Sequence, residues 1–398
     1  MNKKTQLPAI LAIALLGSFA TGLPEISRAA DKPERSARRI LSASGVHGGL
    51  VVHLGCDTGR LTAALHPGKG FLVQGLDKDR EAVQEARRHI KAKGCYGQVT
   101  ALHWRDAYLP YIDNVVNLLV CEDRQDMSMD EIMRVLAPGG TAYIKRANGW
   151  VKRVKPWPDD IDEWSHYLYD ASNNAVSDDT EVAPPRGLQW TCGPTYCRSH
   201  EHFASLSAMV SAGGRVFYIH DKGPINSVRK PPEWHLVARD AFSGVVLWTR
   251  SIEHWESQLR GFRSGPPEIG RRIVARGDRV YAVLDYGARV LVLDAATGRT
   301  LHAIAGTEGA REILYHRGGI YVLADNMSAE DHRKRKEWYR KNVPRQGYRY
   351  PKKPIPMYGK QRIIACDAGS GEILWRDKDD RAPAAIMPAT MAVAEDRL

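Results

Sequence analysis

The second half of the chain repeats one pattern three times. Strand-like segments begin at Gly213, Gly277 and Arg317, and each is followed by a second unit: LVARDAFSGVVLW, LVLDAATGRTLHA and IIACDAGSGEILW. Every second unit has an aspartate four residues before a glycine, a spacing that suits a tight hairpin in which the aspartate bonds local backbone and the glycine takes a positive φ. Three copies of one strand-turn-strand unit predict a repeat architecture.

An aromatic residue also recurs in the repeats. Trp248 and Trp375 each follow the hairpin glycine by four residues, and the middle copy has His302 there. Apolar strands with one aromatic per repeat fit radial blades that stack on one another. We therefore predict propeller-like repeats over residues 206–398, with three blades and the start of a fourth. A generic antiparallel sandwich is the alternative.

Residues 40–148 alternate between strand-like and helix-like segments. Short apolar runs such as GLVVHLG and GFLVQGLD end in Gly or Asp, and DREAVQEARRHIKAKG is an amphipathic helix that stops at Gly94. MSMDEIMRVLAPGG is also predicted to be helical and precedes the strand TAYIKRA. Strands alternating with helices predict a parallel sheet covered on both faces, an α/β Rossmann-like domain.

Two further segments flank this domain. Residues 1–29 have the layout of a signal peptide, with Lys3 and Lys4 before a short apolar stretch and a small-x-small site at Ser27–Ala29. They predict export to the periplasm or cell envelope; a cytoplasmic protein or a retained anchor is the alternative. No later segment is apolar enough to span a membrane. Residues 149–205 are rich in proline and tryptophan and predict a linker that packs on its neighbours.

The first domain resembles class I S-adenosylmethionine-dependent methyltransferases. The matching residues are the glycine loop Gly55–Gly59, Asp77 at the end of the second strand, Asp106 after the third, and MRVLAPGGTAYI before the fifth. Glycines let the backbone approach a ligand, and Asp77 lies about where a carboxylate meets ribose hydroxyls. The resemblance implies S-adenosylmethionine as cofactor, with Asp106 near the adenine. The predicted cofactor-binding residues are Gly55, Asp57, Gly59, Asp77 and Asp106.

This domain also departs from the family pattern. His53 stands where the family usually has an acid, Asp57 where a glycine is common, and Asn117 where Asp is frequent. Asp57 would place a negative charge near the carboxylate end of the ligand. Two strands that usually follow the fifth are also missing from the pattern. These departures predict a retained Rossmann scaffold without turnover, and a working methyltransferase is the alternative.

The repeats resemble pyrroloquinoline-quinone (PQQ)-type propellers. Their Ala-x-Asp-x-x-x-Gly-x-x-x-Trp stretch occurs at residues 238–248 and 365–375, and the middle copy departs from it at Val292 and His302. In that family the tryptophan docks one blade on the next. The quinone dehydrogenases use adjacent cysteines, calcium ligands and a catalytic Asp. The cysteine pair is absent here, so we predict neither catalytic residues nor PQQ. Non-enzymatic members include an assembly factor of bacterial outer-membrane proteins.

The arrangement as a whole is similar to large exported proteins of planctomycete-type bacteria. A propeller of this class has about four to eight blades. The three repeats therefore predict a ring that closes only with further repeats, missing through truncation or supplied by another chain.

Cysteine and histidine patterns give little specific chemistry. Cys192 and Cys197 are separated by four residues. In an exported chain they are either a disulfide pair or two free thiols. His200 and His202 form an HxH pair without a third ligand at convincing spacing, so no metal site is predicted.

Positive charge is concentrated in one segment. The chain has a net charge of +11, and residues 331–353 hold ten Lys or Arg against two acids, interleaved with aromatics. Such a segment favours a polyanion, and outside the cytoplasm a sulfated glycan or anionic envelope polymer is expected rather than nucleic acid. A solvated insertion between blade strands is the alternative. The predicted function is an exported scaffold that binds partners such as envelope proteins; an S-adenosylmethionine-dependent methyltransferase or a quinone-linked oxidoreductase is the alternative.

Overall fold

A computed structural model describes residues 32–122, 127–181, 184, 187–193, 198, 202–260, 267–342, 359–377, 391–393, 395 and 397–398. The predicted signal peptide lies outside these residues, as do Cys197 and His200. The described residues form one six-stranded sheet, called sheet A, followed by three four-stranded sheets, called sheets B, C and D.

Sheet A is the predicted α/β sheet. Its strands lie in the order β3-β2-β1-β4-β5-β6; the first five pair in parallel and β6 is antiparallel. Strands β1 and β4 are buried on both faces, as expected for the centre of a parallel sheet. The strands are β1 (Gly49–Leu54), β2 (Phe71–Asp77), β3 (Val99–His103), β4 (Val116–Cys121), β5 (Leu136–Arg146) and β6 (Gly149–Val154).

Four helices accompany sheet A: α1 (Lys32–Ser44), α2 (Arg60–Ala64), α3 (Arg80–Ala92) and α4 (Met129–Val135). Helix α3 begins where the Asp79 carboxylate accepts a hydrogen bond from the Glu81 N–H, and it buries the apolar face Val83, Ala86 and Ile90. Two apolar clusters cover the two faces of the sheet. Val51 and Val52 are neighbours in β1 and point to opposite faces, so each belongs to a different cluster.

The boundaries differ from the predicted ones at three places. Helix α1 begins at Lys32, ahead of the predicted domain start at 40, and β6 takes up the first six residues of the predicted linker. The predicted helix through Gly140 ends at Val135 instead, and β5 begins at Leu136. Pro138 disfavours a continued helix and Gly139 has a φ of 72°, outside the helical range.

Sheets B, C and D are antiparallel meanders. Sheet B contains β7 (Leu206–Ala212), β8 (Arg215–Asp221), β9 (Trp234–Asp240) and β10 (Val246–Ser251); sheet C contains β11 (Ile273–Arg276), β12 (Arg279–Ala282), β13 (Leu291–Asp294) and β14 (Thr300–Ala303); sheet D contains β15 (Ala310–His316), β16 (Gly319–Asp325), β17 (Gln361–Asp367) and β18 (Ile373–Arg376). A 3-10 helix (Pro267–Arg272) precedes β11, and helix α5 (Ala329–Asn342) follows β16.

The three sheets stack face to face. One apolar cluster joins sheet B to sheet C and another joins sheet C to sheet D. Strand β11, the first strand of sheet C, contacts both β7 and β15, the first strands of the other two sheets. The sheets are therefore arranged like neighbouring blades of a propeller, as the repeats predict.

The aromatic residue of each of the first two repeats docks one sheet on the next. The Trp248 indole donates to the Ala295 carbonyl oxygen at 3.0 Å, and a Cβ on Gly298 would lie 2.6 Å from its Cδ2 atom. Gly298 has a φ of 70°, so the close approach and the turn both favour glycine. His302 makes the corresponding contact with Gly371 of sheet D, where a Cβ would lie 3.3 Å from its Nε2 atom.

The same contact occurs once more, with a tryptophan from the predicted linker. The Trp190 indole donates to the Ala241 carbonyl oxygen at 2.9 Å, and a Cβ on Gly244 would lie 2.6 Å from its Cδ2 atom. Trp190 thus takes on sheet B the place that Trp248 takes on sheet C. Trp375, the corresponding residue of sheet D, is 46% exposed.

The linker also runs across the first strands of all three sheets. The Trp164 carbonyl oxygen accepts a hydrogen bond from Ser211 in β7 at 2.7 Å, and the Ser165 carbonyl oxygen accepts one from Ala275 in β11 at 3.0 Å. The His166 Nε2 atom accepts the Tyr315 N–H of β15 at 2.9 Å. Three consecutive linker residues thus bind one strand of each sheet.

Candidate functional site

The glycine loop joins β1 to α2 at the carboxyl end of sheet A. Gly55 and Gly59 both have a φ of 73°. A Cβ on Gly59 would lie 2.7 Å from the Cα atom of Ala86, so the loop packs tightly on helix α3. The order β3-β2-β1-β4 reverses direction between β1 and β4, and sheets of this type bind ligands beyond such a reversal.

Asp77 holds this loop from the end of β2. Its Oδ2 atom accepts the backbone N–H of Asp57 at 3.0 Å and its Oδ1 atom accepts that of Asp79 at 3.0 Å. The carboxylate is 7% exposed. The structure therefore brings Asp57 and Asp77 together, with one backbone hydrogen bond on each oxygen of Asp77.

Asp57 is the unusual residue of the loop. It has a φ of 42°, in the left-handed region that favours glycine, and its side chain is exposed. The carboxylate of Asp77, at the end of β2, binds the backbone of the same short turn that carries Asp57. An aspartate here costs backbone strain and adds negative charge where glycine would add neither.

Two buried side chains beside the loop, those of His53 and Cys56, are neutral. His53 is buried, its Nδ1 atom lies 2.9 Å from the Thr62 hydroxyl, and burial lowers its pKa to about 4. Burial, reinforced by the charge of Asp77, raises the pKa of the Cys56 thiol to about 12. Neither side chain is charged at neutral pH, so Cys56 is not an activated nucleophile.

Asp106 lies apart from the other predicted residues. It is exposed on the segment after β3. Within the described part of the chain, no hydrogen bond joins its side chain to the glycine loop. Four of the five predicted residues thus lie on one turn or its supporting strand, and the role of Asp106 stays a prediction.

Asn117 connects the two halves of the protein, a role that the sequence did not reveal. Its Nδ2 atom donates to Oδ2 of Asp240 in sheet B at 2.7 Å, and its Oδ1 atom accepts the N–H of Leu50 at 2.8 Å. The side chain must donate and accept at once. An amide does both, whereas an ionised aspartate only accepts.

Around Asn117, the end of sheet A at which its parallel strands begin packs against sheet B. A Cβ on Gly48 would lie 2.6 Å from Cδ2 of Leu247, and one on Gly70 would lie 2.8 Å from the Leu247 oxygen. Trp157 packs edge-on against Phe242, with ring centroids 5.8 Å apart. Side chains and backbone of both halves therefore meet closely at this edge.

The basic segment is only partly exposed. Its first half is helix α5, in which Arg335 is 2% exposed and pairs with Glu256 at 3.0 Å. Four other cations of the helix are exposed and lie near Glu330 or Glu337: Arg333, Lys334, Arg340 and Lys341. Residues 343–353 lie outside the described part of the chain.

The described residues contain neither a metal-binding cluster nor a membrane-spanning helix. No three His, Cys, Asp or Glu side chains there are grouped so as to hold a metal ion. No helix there has the length and apolar character of a membrane span. Cys192 is exposed, and Cys197, the other member of the possible disulfide pair, lies outside the described residues.

Each half of the chain matches a known family model. Residues 51–140 match the family model described as a methyltransferase domain, and residues 232–398 match the model described as outer membrane protein assembly factor BamB. The chain joins a methyltransferase-type domain to BamB-like, PQQ-type repeats. The first match starts within β1 and contains the glycine loop, and the second starts just before β9 and includes sheets C and D.

Individual relatives match the methyltransferase-type domain. The methyltransferase GfsG of Streptomyces halstedii is 28% identical over 123 residues, which cover 29% of this chain and 44% of that protein. A structure described as an S-adenosyl-L-methionine-dependent methyltransferase from Methanococcus maripaludis is 25% identical, with a TM-score of 0.27, over 30% of this chain and 59% of that one. Geranyl diphosphate C-methyltransferase from Streptomyces coelicolor is 17% identical, with a TM-score of 0.28, over 31% and 52%. The chain thus spans about half the length of these proteins.

The methyltransferase-type domain fits S-adenosylmethionine only in part. Gly55 and Gly59 supply the positive φ values of the loop, and each carboxylate oxygen of Asp77 keeps a lone pair for a ribose hydroxyl. Asp57 does not fit, because its carboxylate repels the carboxylate of a methionine group in the same turn. The residues around the loop therefore suit the nucleoside better than the amino acid part of the cofactor.

Proposed function

We infer that this protein is a binding or scaffold protein in which the methyltransferase-type domain has lost turnover and serves as structure. The observation that carries this proposal is Asp57. Its backbone has a φ of 42°, and it adds a carboxylate to the turn that would hold the cofactor. Its position beside Asp77 adds a second negative charge to a turn that needs close backbone contact with an anionic group.

The interface between the two halves supports the same proposal. Asn117 stands where the family often has Asp, and its amide bonds Leu50 and Asp240 at once. Gly48 and Gly70 pack on Leu247 with no room for a side chain. A domain fixed by such contacts stabilises sheet B whether or not it binds a cofactor.

The partners are proposed from the repeats and the basic helix. A BamB-like repeat domain is consistent with an exported protein, so we propose envelope proteins as the partners of the propeller-type sheets. The exposed cations of α5 are proposed to bind a polyanionic glycan. We propose the periplasm or cell envelope as the location of the protein.

Calorimetry with S-adenosylmethionine tests the loss of cofactor binding. We expect the wild-type protein to bind no tighter than about millimolar, on the order of −4 kcal/mol. Asp57→Gly removes the charge and suits the positive φ, so it should bind at least about tenfold tighter, a gain of roughly 1.4 kcal/mol. Asp79→Asn is the matched control, because it neutralises a nearby carboxylate outside the turn.

Micromolar binding by the wild-type protein, abolished by Asp77→Ala, would contradict the loss of cofactor binding and favour the second candidate, an S-adenosylmethionine-dependent methyltransferase. Gly55, Gly59 and Asp77 favour that candidate, because their geometry is compatible with a nucleoside. In that case Gly55 and Gly59 would admit the cofactor and Asp77 would accept its ribose hydroxyls, and the cofactor supplies the methyl group. An absorbance spectrum of the purified protein tests the quinone-linked alternative, which requires a bound quinone.

A further inference from the structure

A buried cluster of charges lies where sheets B, C and D meet, around the 3-10 helix Pro267–Arg272. Among the residues that the structure describes, it contains five arginines and four carboxylates, each at most 5% exposed: Arg260, Arg271, Arg272, Arg311, Arg335, Glu256, Glu268, Glu312 and Asp325. His332 lies against it and is neutral, because burial and the charge of Arg335 hold its pKa far below the usual value. Counted over the described residues alone, the cluster thus has one more arginine than carboxylates.

Four of the five arginines reach a carboxylate. Arg260 and Arg335 both bind Glu256, at 2.6 and 3.0 Å. Arg311 binds Glu268 at 2.9 Å, and Arg271 binds Glu312 at 3.0 Å. These pairs compensate the cost of burying their charges.

Arg272 is the exception. It is 3% exposed, and its Nε and Nη2 atoms have no hydrogen-bond partner in the described part of the chain. Its guanidinium carbon lies 5.2 Å from the centroid of the Trp255 ring, which offsets part of the cost of burial. Burial and the charges of Arg311 and Arg335 oppose its protonation and lower its pKa to about 10, so it is still charged at neutral pH.

We propose that Arg272 binds a small oxyanion, a carboxylate, sulfate or phosphate group, at the centre of the three sheets. A guanidinium group presents its N–H donors in a planar fork that matches two oxygens of such an anion. One anion would give the buried Nε and Nη2 donors of Arg272 their acceptors. This site is separate from the glycine loop, and the proposal goes beyond the scaffold function.

Thermal unfolding of the full chain tests the proposal. Sulfate, phosphate and acetate are titrated separately against chloride at constant ionic strength. A ligand that binds only the folded state raises the Tm with its concentration, so we expect a dose-dependent rise with at least one oxyanion, and the three titrations identify which. Arg272→Met should lose this rise. Arg276→Met, which removes an exposed arginine four residues later, should keep it.

A second measurement separates binding from a structural role. In chloride alone, Arg272→Met should unfold at the same or a higher temperature than the wild-type protein, because it removes a buried charge that no carboxylate of the described residues binds directly. If Arg272→Met fails to fold, Arg272→Lys keeps the charge without the planar fork and should need at least about tenfold more oxyanion for half of the Tm rise. The proposal is wrong if no oxyanion raises the wild-type Tm beyond chloride, or if the Arg272 variant that folds responds like the wild-type protein.

Discussion

Trp190→Ala tests whether the linker tryptophan replaces a blade tryptophan. In the structure Trp190 contacts Gly244 and Ala241 in the way that Trp248 contacts Gly298 and Ala295. If this contact stabilises the fold, loss of the Trp190 ring should destabilise the outer end of sheet B, because its hairpin glycine would then face solvent.

The expected loss follows from burial and one hydrogen bond. Replacing a fully buried tryptophan by alanine costs about 3–5 kcal/mol. Trp190 is only half-buried, so we take about 2 kcal/mol for the lost packing and add about 1 kcal/mol for the indole hydrogen bond. The variant should therefore lose about 3 kcal/mol of the free energy of unfolding, and Trp248→Ala should lose a similar amount.

Urea denaturation of the full chain, followed by circular dichroism, measures this loss. Leu188→Ala is the matched control, because Leu188 is 82% exposed two residues away and should change stability by less than about 0.5 kcal/mol. Hydrogen exchange should quicken in the hairpin between Asp240 and Val246 in Trp190→Ala alone. If Trp190→Ala is as stable as Leu188→Ala, the linker tryptophan does not dock sheet B and the likeness to Trp248 is only geometric.

Two further predictions concern acid stability and anion binding. Burial lowers the pKa of His166 from its usual 6.5 to about 4, so between pH 6.5 and pH 4 the unfolded chain takes up a proton that the folded chain does not. The stability contribution of His166 should thus be complete above pH 6.5 and fall by about 3 kcal/mol on acidification to pH 4. Urea denaturation at both pH values measures the free energy of unfolding, which should fall less on acidification in His166→Gln than in the wild-type protein. For the basic helix, we expect retention on a sulfated-polysaccharide column that weakens steeply with salt. Replacing Arg333, Lys334, Arg340 and Lys341 by glutamine, while the buried Arg335 is kept, should lower the eluting salt concentration; unchanged elution would leave the helix as a solvated insertion.

The sequence by itself determined the local elements and the two architectures. Apolar runs, amphipathic spacing and glycine stops predicted sheet A, and the recurring Asp and Gly predicted the hairpins of sheets B, C and D. These signals are readable because each depends on residues within one turn or one repeat. The glycine loop was readable for the same reason, since Gly55, Gly59 and the positive φ values belong to one short segment.

Tertiary structure alone decided which residues join these parts. Asn117 read as a departure from a family pattern, but it bonds Asp240, 123 residues away. Trp190 read as a linker tryptophan, and only the position of Gly244 shows that it docks sheet B. In the sequence, Arg272 looks like any other arginine. The charges of Arg311 and Arg335 that act on it in the structure come from other elements. Contacts of this kind have no period and no fixed spacing, so the sequence shows the residue types but not their partners.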